Sequence, residues 1–194
     1  MDMNRERWAY IQEYSREVFG RQDAHLAGLM DEAVEVGLPN IAVSADVGRL
    51  LMILTSMTRG QLAIEPEAAH ADFAKVQFER AGVTDRVAIR RGAALEVLPK
   101  LAEELGPDSV DVVFIDAVKV EYTQYWRIVR PLIAPGGLVM ADNVLGGGSW
   151  TIDNEDDPQR QAVDTFSRLV CEDPQFEAVV VPLRNGVLVG RRIN

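Results

Sequence analysis

The chain has 194 residues, of which 47% are hydrophobic and 26% are charged, and its formal net charge is −10 at pH 7. This length and composition predict one soluble globular domain, and the acidic balance excludes a nucleic-acid backbone as the expected partner. A charged N-terminus without an apolar core, no apolar run long enough for a membrane span, and a single cysteine, Cys171, predict a cytoplasmic protein without membrane contact.

Helices are predicted in the first 60 residues. Large apolar side chains recur at helical spacing over residues 5–19 and 23–36. Ser44 is a favourable residue for a helix start, and Asp46 would put a negative charge in the first turn of a helix that we expect to continue to Gly60. The aromatic side chains of the first helix are expected to pack against the other N-terminal helices or against a second subunit.

From residue 61 onward, short apolar strands alternate with helices. The strands are predicted at 62–65, 86–90, 112–116 and 137–143, and the intervening helices at 66–82, 93–105 and 121–133, with Pro66 at the first helical position. A polar loop over 146–158, a helix over 159–171 and a hairpin over 176–191 follow, and Asn185-Gly186 is a strong hairpin-turn signal. The alternation predicts a Rossmann-like α/β sheet, and the hairpin adds an antiparallel strand.

Two neighbouring strands of this sheet end on oxygen donors. Asp116 ends one strand, and Asp142 and Asn143 end the next. A right-handed crossover would bring both carboxyl ends to the same sheet edge, where doubly wound folds bind ligands. Each of these residues alone is more often a cap of the following turn, but three donors together predict a site for a hard divalent cation such as Mg²⁺.

Other candidate residues follow the same strand ends. Lys119 lies three residues beyond Asp116 and is either a solvated surface lysine or a general base at the cation site. Glu65 ends an earlier strand, where an acid either binds ribose hydroxyls or only stabilises the start of a helix. The small residues 92–94 follow another strand and would let an adenine ring approach the backbone, and His25 and His70 are interpreted as structural.

These stretches resemble the cation-dependent O-methyltransferases, the family that includes catechol O-methyltransferase and caffeoyl-CoA O-methyltransferase. The resemblance runs from about residue 10 to the C-terminus, and its most specific stretches are 43–51, 114–119, 136–143 and 185–186. It implies S-adenosylmethionine as cofactor and Mg²⁺, or another divalent cation such as Ca²⁺ or Mn²⁺, as metal. The implied cation ligands are Asp116, Asp142 and Asn143, and the implied catalytic residue is Lys119.

The resemblance also implies a cofactor site and a substrate class. The cofactor-binding residues would be Val43, Ser44, Glu65, Gly92, Ala93, Ala94 and Asp116, and the aromatic walls for substrate would be Tyr122 and Trp150. Two adjacent phenolic oxygens would chelate the cation, Lys119 would take a proton, and the phenolate would attack the sulfonium methyl group. Gly147 stands where plant enzymes carry a substrate-binding asparagine, which favours a bacterial-type enzyme for small catechol-like phenols.

The chain departs from the family in two further ways. Val118 stands where family members often have an aspartate, so one polar cofactor contact is expected to be absent. The strand, Gly-rich loop and helix that the family places before Glu65 are missing between Gly60 and Leu62, a unit of roughly 20–30 residues. Either residues are omitted from the chain, which a wide Cα separation at Gly60 would reveal, or the deletion is real and impairs cofactor binding. The first explanation is favoured, because loss of a central strand would leave two unpaired strand edges inside the core.

The expected organisation is one methyltransferase domain over residues 1–194, with N-terminal helices over 1–42 and the Rossmann-like core over 43–194. A homodimer is expected. The alternative function is a catalytically impaired family member that serves as a dimerisation or partner-binding module. A dinucleotide-dependent dehydrogenase is disfavoured, because no G-x-G-x-x-G phosphate loop precedes the acid at Glu65.

Overall fold

The computed structural model describes residues 4–56 and 61–193. Its backbone packing divides the chain into two compact units, residues 1–92 and residues 93–194. The prediction of a single domain is not tested by this division and stays a prediction. In the described part of the chain, no helix combines the length and the apolar character that crossing a membrane requires.

The first unit begins with three helices, which confirm the predicted ones. They are α1 (Arg5–Phe19), α2 (Ala24–Glu35) and α3 (Ala45–Thr55). Asn4 and Asp23 cap the first two, because their side-chain oxygens accept hydrogen bonds from backbone N–H groups of the first turn, each at 2.9 Å. Residues 57–60, which were predicted to extend the third helix to Gly60, lie outside the described residues.

A two-stranded parallel sheet completes the first unit. Strand β1 (Gln61–Glu65) pairs with β2 (Val87–Arg91), and helix α4 (Ala68–Arg80) connects them. The prediction that Pro66 opens this helix is wrong. The carboxylate of Glu65 accepts the backbone N–H of Glu67 at 2.8 Å, and Glu67 has the extended backbone of a helix N-cap, so the helix starts two residues later.

The predicted deletion concerns the connection between α3 and β1. Only five residues, 56–60, separate the end of α3 from the start of β1. A strand, a loop and a helix cannot be formed from five residues, so the chain passes from α3 to β1 without such a unit. The Cα separation proposed as a test involves Gly60 and therefore lies outside the described residues.

The second unit contains a four-stranded mixed sheet in the order β3-β4-β8-β7. Its strands are β3 (Val110–Ile115), β4 (Ile133–Asp142), β7 (Phe176–Val181) and β8 (Val187–Arg192), and its helices are α5 (Ala94–Leu105), α6 (Tyr122–Val129) and α7 (Pro158–Cys171). The two-residue strands β5 (Gly146–Gly147) and β6 (Trp150–Thr151) form a small hairpin in the predicted loop. Strands β3 and β4 are parallel, and β8 is antiparallel to both β4 and β7, which confirms the predicted C-terminal hairpin.

The crossover between β3 and β4 is shorter than the sequence predicted. The predicted helix over 121–133 ends at Val129, a 3₁₀ turn covers Arg130–Leu132, and Ile133 already belongs to β4. Pro131 explains the difference, because proline has no N–H for the helical hydrogen bond and clashes with the preceding turn.

Aromatic side chains of α6 and α7 fill the core of the second unit. Tyr122 and Phe166 are fully buried, with ring centroids 5.4 Å apart in an edge-to-face arrangement. Trp126 packs edge-to-face on Phe176 at 4.9 Å. Each such ring contributes roughly 1.5–3 kcal/mol of burial free energy. This packing fixes the start of α6 beside the carboxyl ends of β3 and β4.

Candidate functional site

Two carboxylates stand at adjacent strand ends of the second unit. Asp142 is the last residue of β4, and Asp116 directly follows β3, whose Ile115 is paired with Ala141. Asp142 is completely buried, and its Oδ1 atom has no hydrogen-bond partner within the described residues. The Asp116 side chain is 35% exposed. The parallel register therefore brings one buried and one accessible carboxylate to the same edge.

The surroundings of Asp142 oppose its ionisation. Burial is the main cause that raises the pKa of the Asp142 carboxyl, and the negative charge of Asp116 raises it further. The backbone N–H of Asn143 and the cationic side chains of Arg184 and Lys119 partly offset this rise. Arg184 Nη1 lies 3.3 Å from Asp142 Oδ2. A further positive charge at Oδ1 would stabilise the ionised carboxylate.

Asn143 and the following loop are held by the C-terminal hairpin. The backbone N–H groups of Val144 and Leu145 donate to the carbonyl oxygens of Gly186 and Asn185 at 3.1 and 2.8 Å. Gly186 has a φ of 81°, and a Cβ atom there would overlap the Leu145 side chain. The Asn-Gly turn predicted from the sequence therefore also supports the backbone next to the predicted cation ligands.

The donor set at these strand ends fits a hard cation. Within residues 4–56 and 61–193, no three His, Cys, Asp or Glu side chains cluster as a metal site would require. Two carboxylates and one amide suit Mg²⁺ instead, which takes one or two carboxylates together with water or substrate oxygens. The buried Oδ1 atom of Asp142, which has no partner among the residues that the structure describes, is the atom that such an ion would satisfy.

Lys119 lies beside these carboxylates in the second unit. Its Nζ atom donates to Asp116 Oδ1 at 3.0 Å and to the Tyr122 hydroxyl oxygen at 2.5 Å. The Tyr122 hydroxyl also lies 3.3 Å from the carbonyl oxygen of Ile115 and 3.2 Å from that of Asp142. Burial raises the pKa of Tyr122, so this hydroxyl stays protonated at neutral pH. The structure thus brings Asp116, Lys119 and Asp142 together, as the sequence predicted.

The two predicted aromatic walls are both buried. Tyr122 has no exposed surface and Trp150 is 3% exposed. Trp150 covers Gly147, where a Cβ atom would lie 2.9 Å from the indole Nε1. An asparagine at position 147 would therefore not fit with Trp150 in this position, which gives a physical reason for the glycine. Contact of these rings with substrate stays a prediction.

Glu65 ends β1 in the first unit. Its Oε1 atom accepts the Glu67 N–H and lies 3.7 Å from Nδ1 of His70, and its side chain is 30% exposed. His70, which was interpreted as a structural residue, therefore lies beside this carboxylate. The backbone N–H of Gly92 donates to the Glu65 carbonyl oxygen at 3.2 Å, so these two predicted cofactor residues are adjacent.

The remaining predicted cofactor residues lie at helix starts. Ser44 is the N-cap residue of α3, directly after Val43, but its side chain does not cap the helix. The Ser44 hydroxyl and Oδ2 of Asp46 are buried without a partner in the described part of the chain. Ala93 is the N-cap residue of α5, and Ala94 is its first residue. Unsatisfied polar atoms at 44 and 46 fit a site that a polar ligand completes.

Arg184 is a site residue that the sequence did not indicate. It occupies the turn of the C-terminal hairpin with a φ of 49°, a left-handed conformation that favours glycine or asparagine. Nothing in its local sequence distinguishes it from a surface arginine. Only the antiparallel pairing of β8 with β4 brings its guanidinium to Asp142.

Comparison with solved structures gives the class of protein. The fold is that of the S-adenosylmethionine-dependent methyltransferases, which confirms the predicted fold class. The chain is similar over the full length of both chains to the O-methyltransferase TomG from Streptomyces achromogenes, solved in complex with SAM. That similarity has 25% sequence identity and a TM-score of 0.80.

A model of the O-methyltransferase family matches residues 40–193, and the chain belongs to this family. It is therefore an enzyme of the O-methyltransferase class. The chain is 28% identical to a catechol O-methyltransferase from Niastella koreensis, with 93% of each chain covered. It is 34% identical to caffeoyl-CoA O-methyltransferase 1 from Eucalyptus globulus, over 60% of this chain and 50% of that protein. The resemblance inferred from the motifs is confirmed.

The alignment with the Niastella protein also bears on the predicted deletion. It extends over 207 positions but covers 93% of this chain, which is about 180 of 194 residues, so about 27 positions have no counterpart here. This number agrees with the size of the strand, loop and helix that the sequence lacks before β1.

Proposed function

We propose that this enzyme transfers the methyl group of S-adenosylmethionine to one hydroxyl of a small catechol-like phenol, or another phenol with vicinal hydroxyls, and that the reaction needs a divalent cation. Mg²⁺ is the preferred ion because the donors are two carboxylates and an amide. The relatives named for catechol and caffeoyl-CoA methylation support a phenolic acceptor.

One observation carries the proposal of cation dependence. Asp142 is a completely buried carboxylate with one oxygen unpartnered among the described residues, and Asp116 stands at the neighbouring strand end. A buried carboxylate in this state is costly unless a positive charge completes its surroundings. Asp116, Asp142 and Asn143 are therefore the proposed cation ligands.

The proposed chemistry assigns separate roles to the residues of the second unit. A bound divalent cation favours the ionised form of a hydroxyl that approaches it. Lys119, with its Nζ atom at hydrogen-bond distance from Asp116, accepts the proton of the acceptor hydroxyl. Trp150 packs closely on Gly147 in the loop that follows β4.

The proposed cofactor contacts follow the family resemblance residue by residue. Glu65 would hold the ribose hydroxyls, Val43, Ser44, Gly92, Ala93 and Ala94 would line the cofactor, and Asp116 would contribute a further polar contact. We also propose a cytoplasmic location, because the chain has a single cysteine, and a homodimer, because α1 exposes three large aromatic side chains that a second copy would cover. These side chains are Tyr10, Tyr14 and Phe19.

The proposal is tested by methyl-transfer assays with a panel of catechols, each measured with added Mg²⁺ and with a chelator. We expect methylation of vicinal-hydroxyl phenols only when a divalent cation is present, and no methylation of the matching mono-phenols. Equal rates with and without chelator would contradict the proposed cation dependence. If no methylation is seen, calorimetry with S-adenosylmethionine distinguishes two causes. A protein that binds the cofactor has been given the wrong acceptor, whereas a protein that does not bind it lacks cofactor binding.

Replacing the proposed base gives a second test. Lys119→Met should lower kcat by roughly 10²–10⁴-fold, because a positioned base contributes about that much, and should leave cofactor binding unchanged. Lys100→Met is the matched control, since Lys100 is an exposed lysine of α5. An equal loss in both variants, or none in Lys119→Met, would remove Lys119 from the mechanism.

A further inference from the structure

The hydroxyl of Tyr122 contacts both strand ends and the proposed base. It lies at 3.3 Å from the Ile115 carbonyl, at 3.2 Å from the Asp142 carbonyl and at 2.5 Å from Lys119 Nζ. Ile115 immediately precedes Asp116, so each carbonyl belongs to a proposed cation ligand or to its neighbour. A phenolic hydroxyl has one proton to donate and lone pairs to accept, and here both capacities are used.

The ring that carries this hydroxyl is buried and closely packed. Tyr122 has no exposed surface, and its ring packs edge-to-face on Phe166 and lies 6.2 Å from the ring of Tyr125. It is the first residue of α6, directly after the 3₁₀ turn that contains Lys119. Because packing fixes the ring, the hydroxyl has a fixed position and can orient the flexible lysine side chain by a hydrogen bond.

Two hydrogen bonds hold the amine of Lys119. Its side chain is only 11% exposed, and Nζ donates to Asp116 Oδ1 as well as to Tyr122. The same Nζ lies 4.8 Å from the centroid of the Tyr122 ring. A neutral amine has two N–H bonds and one lone pair, so two fixed N–H contacts also fix the direction in which the lone pair points.

We propose that Tyr122 is a positioning residue of the methyl-transfer site, whose buried hydroxyl aligns the Lys119 amine and ties it to the strand ends that carry Asp116 and Asp142. In this role Tyr122 acts through Lys119, and the substrate contact that the family resemblance implied for its ring stays a separate prediction. This role rests on the proposed function, because it assumes that Lys119 is the base.

Tyr122→Phe removes only the hydroxyl and keeps the ring. We expect kcat to fall about 10–100-fold, the range for loss of an orienting partner, while KM for S-adenosylmethionine and Mg²⁺ binding by calorimetry stay unchanged. Tyr125→Phe is the matched control on the same helix. The Tyr125 hydroxyl donates a hydrogen bond to Glu121 and does not contact Lys119, so the Tyr125→Phe variant should keep the wild-type kcat. An unchanged kcat in Tyr122→Phe, or equal losses in both variants, would overturn the positioning role.

A second measurement does not depend on activity. The sequence has three lysines, Lys75, Lys100 and Lys119, and the first two are exposed. Limited acetylation followed by mass spectrometry should label Lys119 more slowly than the other two in the wild-type protein. Tyr122→Phe should raise the Lys119 rate severalfold relative to Lys100, and Tyr125→Phe should not.

The two measurements separate the two hypotheses. Wild-type protein without cation-dependent methylation would contradict the proposed function, while the acetylation ratios would still test the hold of Tyr122 on Lys119. Wild-type labelling of Lys119 as fast as that of Lys75 and Lys100 would overturn the positioning role even where Tyr122→Phe does not fold.

Discussion

The two units of the chain differ in how much apolar surface they bury. Among the described residues, three buried apolar side chains belong to residues 1–92 and twenty belong to residues 93–194. In the second unit, a packed core fixes the polar groups at the ends of β3 and β4. In the first unit, the corresponding polar residues are either half-exposed, as Glu65 is, or buried without partners, as Ser44 Oγ and Asp46 Oδ2 are.

This difference indicates that the proposed base and cation ligands are held in place before ligands bind, and that the proposed cofactor residues of the first unit are less firmly held. The base and the proposed cation ligands are positioned by contacts that the second unit makes within itself. The proposed cofactor residues of the first unit have fewer fixed contacts, so we expect ligand binding to contribute more to their order. Perturbing each unit separately tests this contrast.

The largest expected effect is on the cation site. Asp142→Asn should lower cation-dependent methylation about a thousandfold, because the ion's charge stabilisation is worth several kcal/mol. Burial raises the pKa of Asp142, so folding without a metal disfavours the charged form of this carboxyl relative to the unfolded chain. The contribution of this carboxyl to stability is therefore present at low pH and is lost as the pH rises through the raised pKa.

The same substitution should consequently not lower the metal-free Tm at pH 7. Its Tm should exceed that of wild type there, and the difference should close as the pH falls through the folded pKa of Asp142. Thermal melts in chelator, with Asp116→Asn as the half-exposed control, measure this. If the metal-free Asp142→Asn protein melts well below wild type at pH 7, the buried Asp142 carboxylate does not destabilise the metal-free fold and this prediction is wrong.

The second prediction compares local stability. Amide hydrogens of β4 and β8 should exchange at least about 100-fold more slowly than those of β1 and β2, because the first pair lies in the unit with the larger core. Hydrogen exchange read by NMR or mass spectrometry measures this. Equal protection in the two sheets would show that both units open together and would remove the contrast drawn above.

The third prediction concerns the proposed ribose contact. Glu65→Gln should weaken binding of S-adenosylmethionine about tenfold with little change in kcat, since hydrogen bonds to a charged group contribute about 1.5–3 kcal/mol. Calorimetry measures the affinity directly. Glu67→Gln is the control, because the Glu67 side chain is exposed and only its backbone N–H contacts Glu65. Unchanged affinity in Glu65→Gln would exclude this cofactor contact.

The smallest expected effect compares one ion pair from each unit. Arg130 donates two hydrogen bonds to Asp173, whose side chain is 9% exposed, whereas the Glu32 and Arg80 side chains are 45% and 53% exposed. Asp173→Asn should lower the free energy of unfolding by about 1 kcal/mol at pH 7, because the Asp173 carboxylate is shielded while Arg130 is 35% exposed and solvent partly screens its charge. Glu32→Gln should leave it without a resolvable change, because solvent screens an exposed pair.

The pH dependence of this last comparison has a defined sign. Hydrogen bonding from Arg130 lowers the pKa of Asp173 below its ordinary value. The stabilisation is therefore present above the unfolded pKa and is lost as the pH falls through the folded pKa. Urea unfolding at pH 7 and at low pH should show the Asp173→Asn difference shrinking in acid. A difference that persists at low pH would mean that lost packing, not charge, causes the effect.

Much of the fold was predictable because it depends on local patterns. Apolar runs ending at Asp116 and Asp142 gave the strands, and the Asn185-Gly186 turn gave the hairpin. The prediction was wrong at the ends of two helices. The Glu65 carboxylate binds the backbone of Glu67 and delays helix α4, and Pro131 ends helix α6 before Ile133, which the helical pattern had included.

The sequence by itself determined the order of strands and helices, the oxygen donors at two strand ends and the nearby lysine, because residue type and spacing carry that information. Only the tertiary structure showed that Asp142 is fully buried, that Arg184 reaches it from the hairpin turn, and that the Tyr122 hydroxyl holds Lys119. Asp142 and Arg184 are distant in sequence and meet only when β8 pairs with β4. Tyr122 and Lys119 are three residues apart, but the position of the Tyr122 ring depends on the packing of α6 on α7.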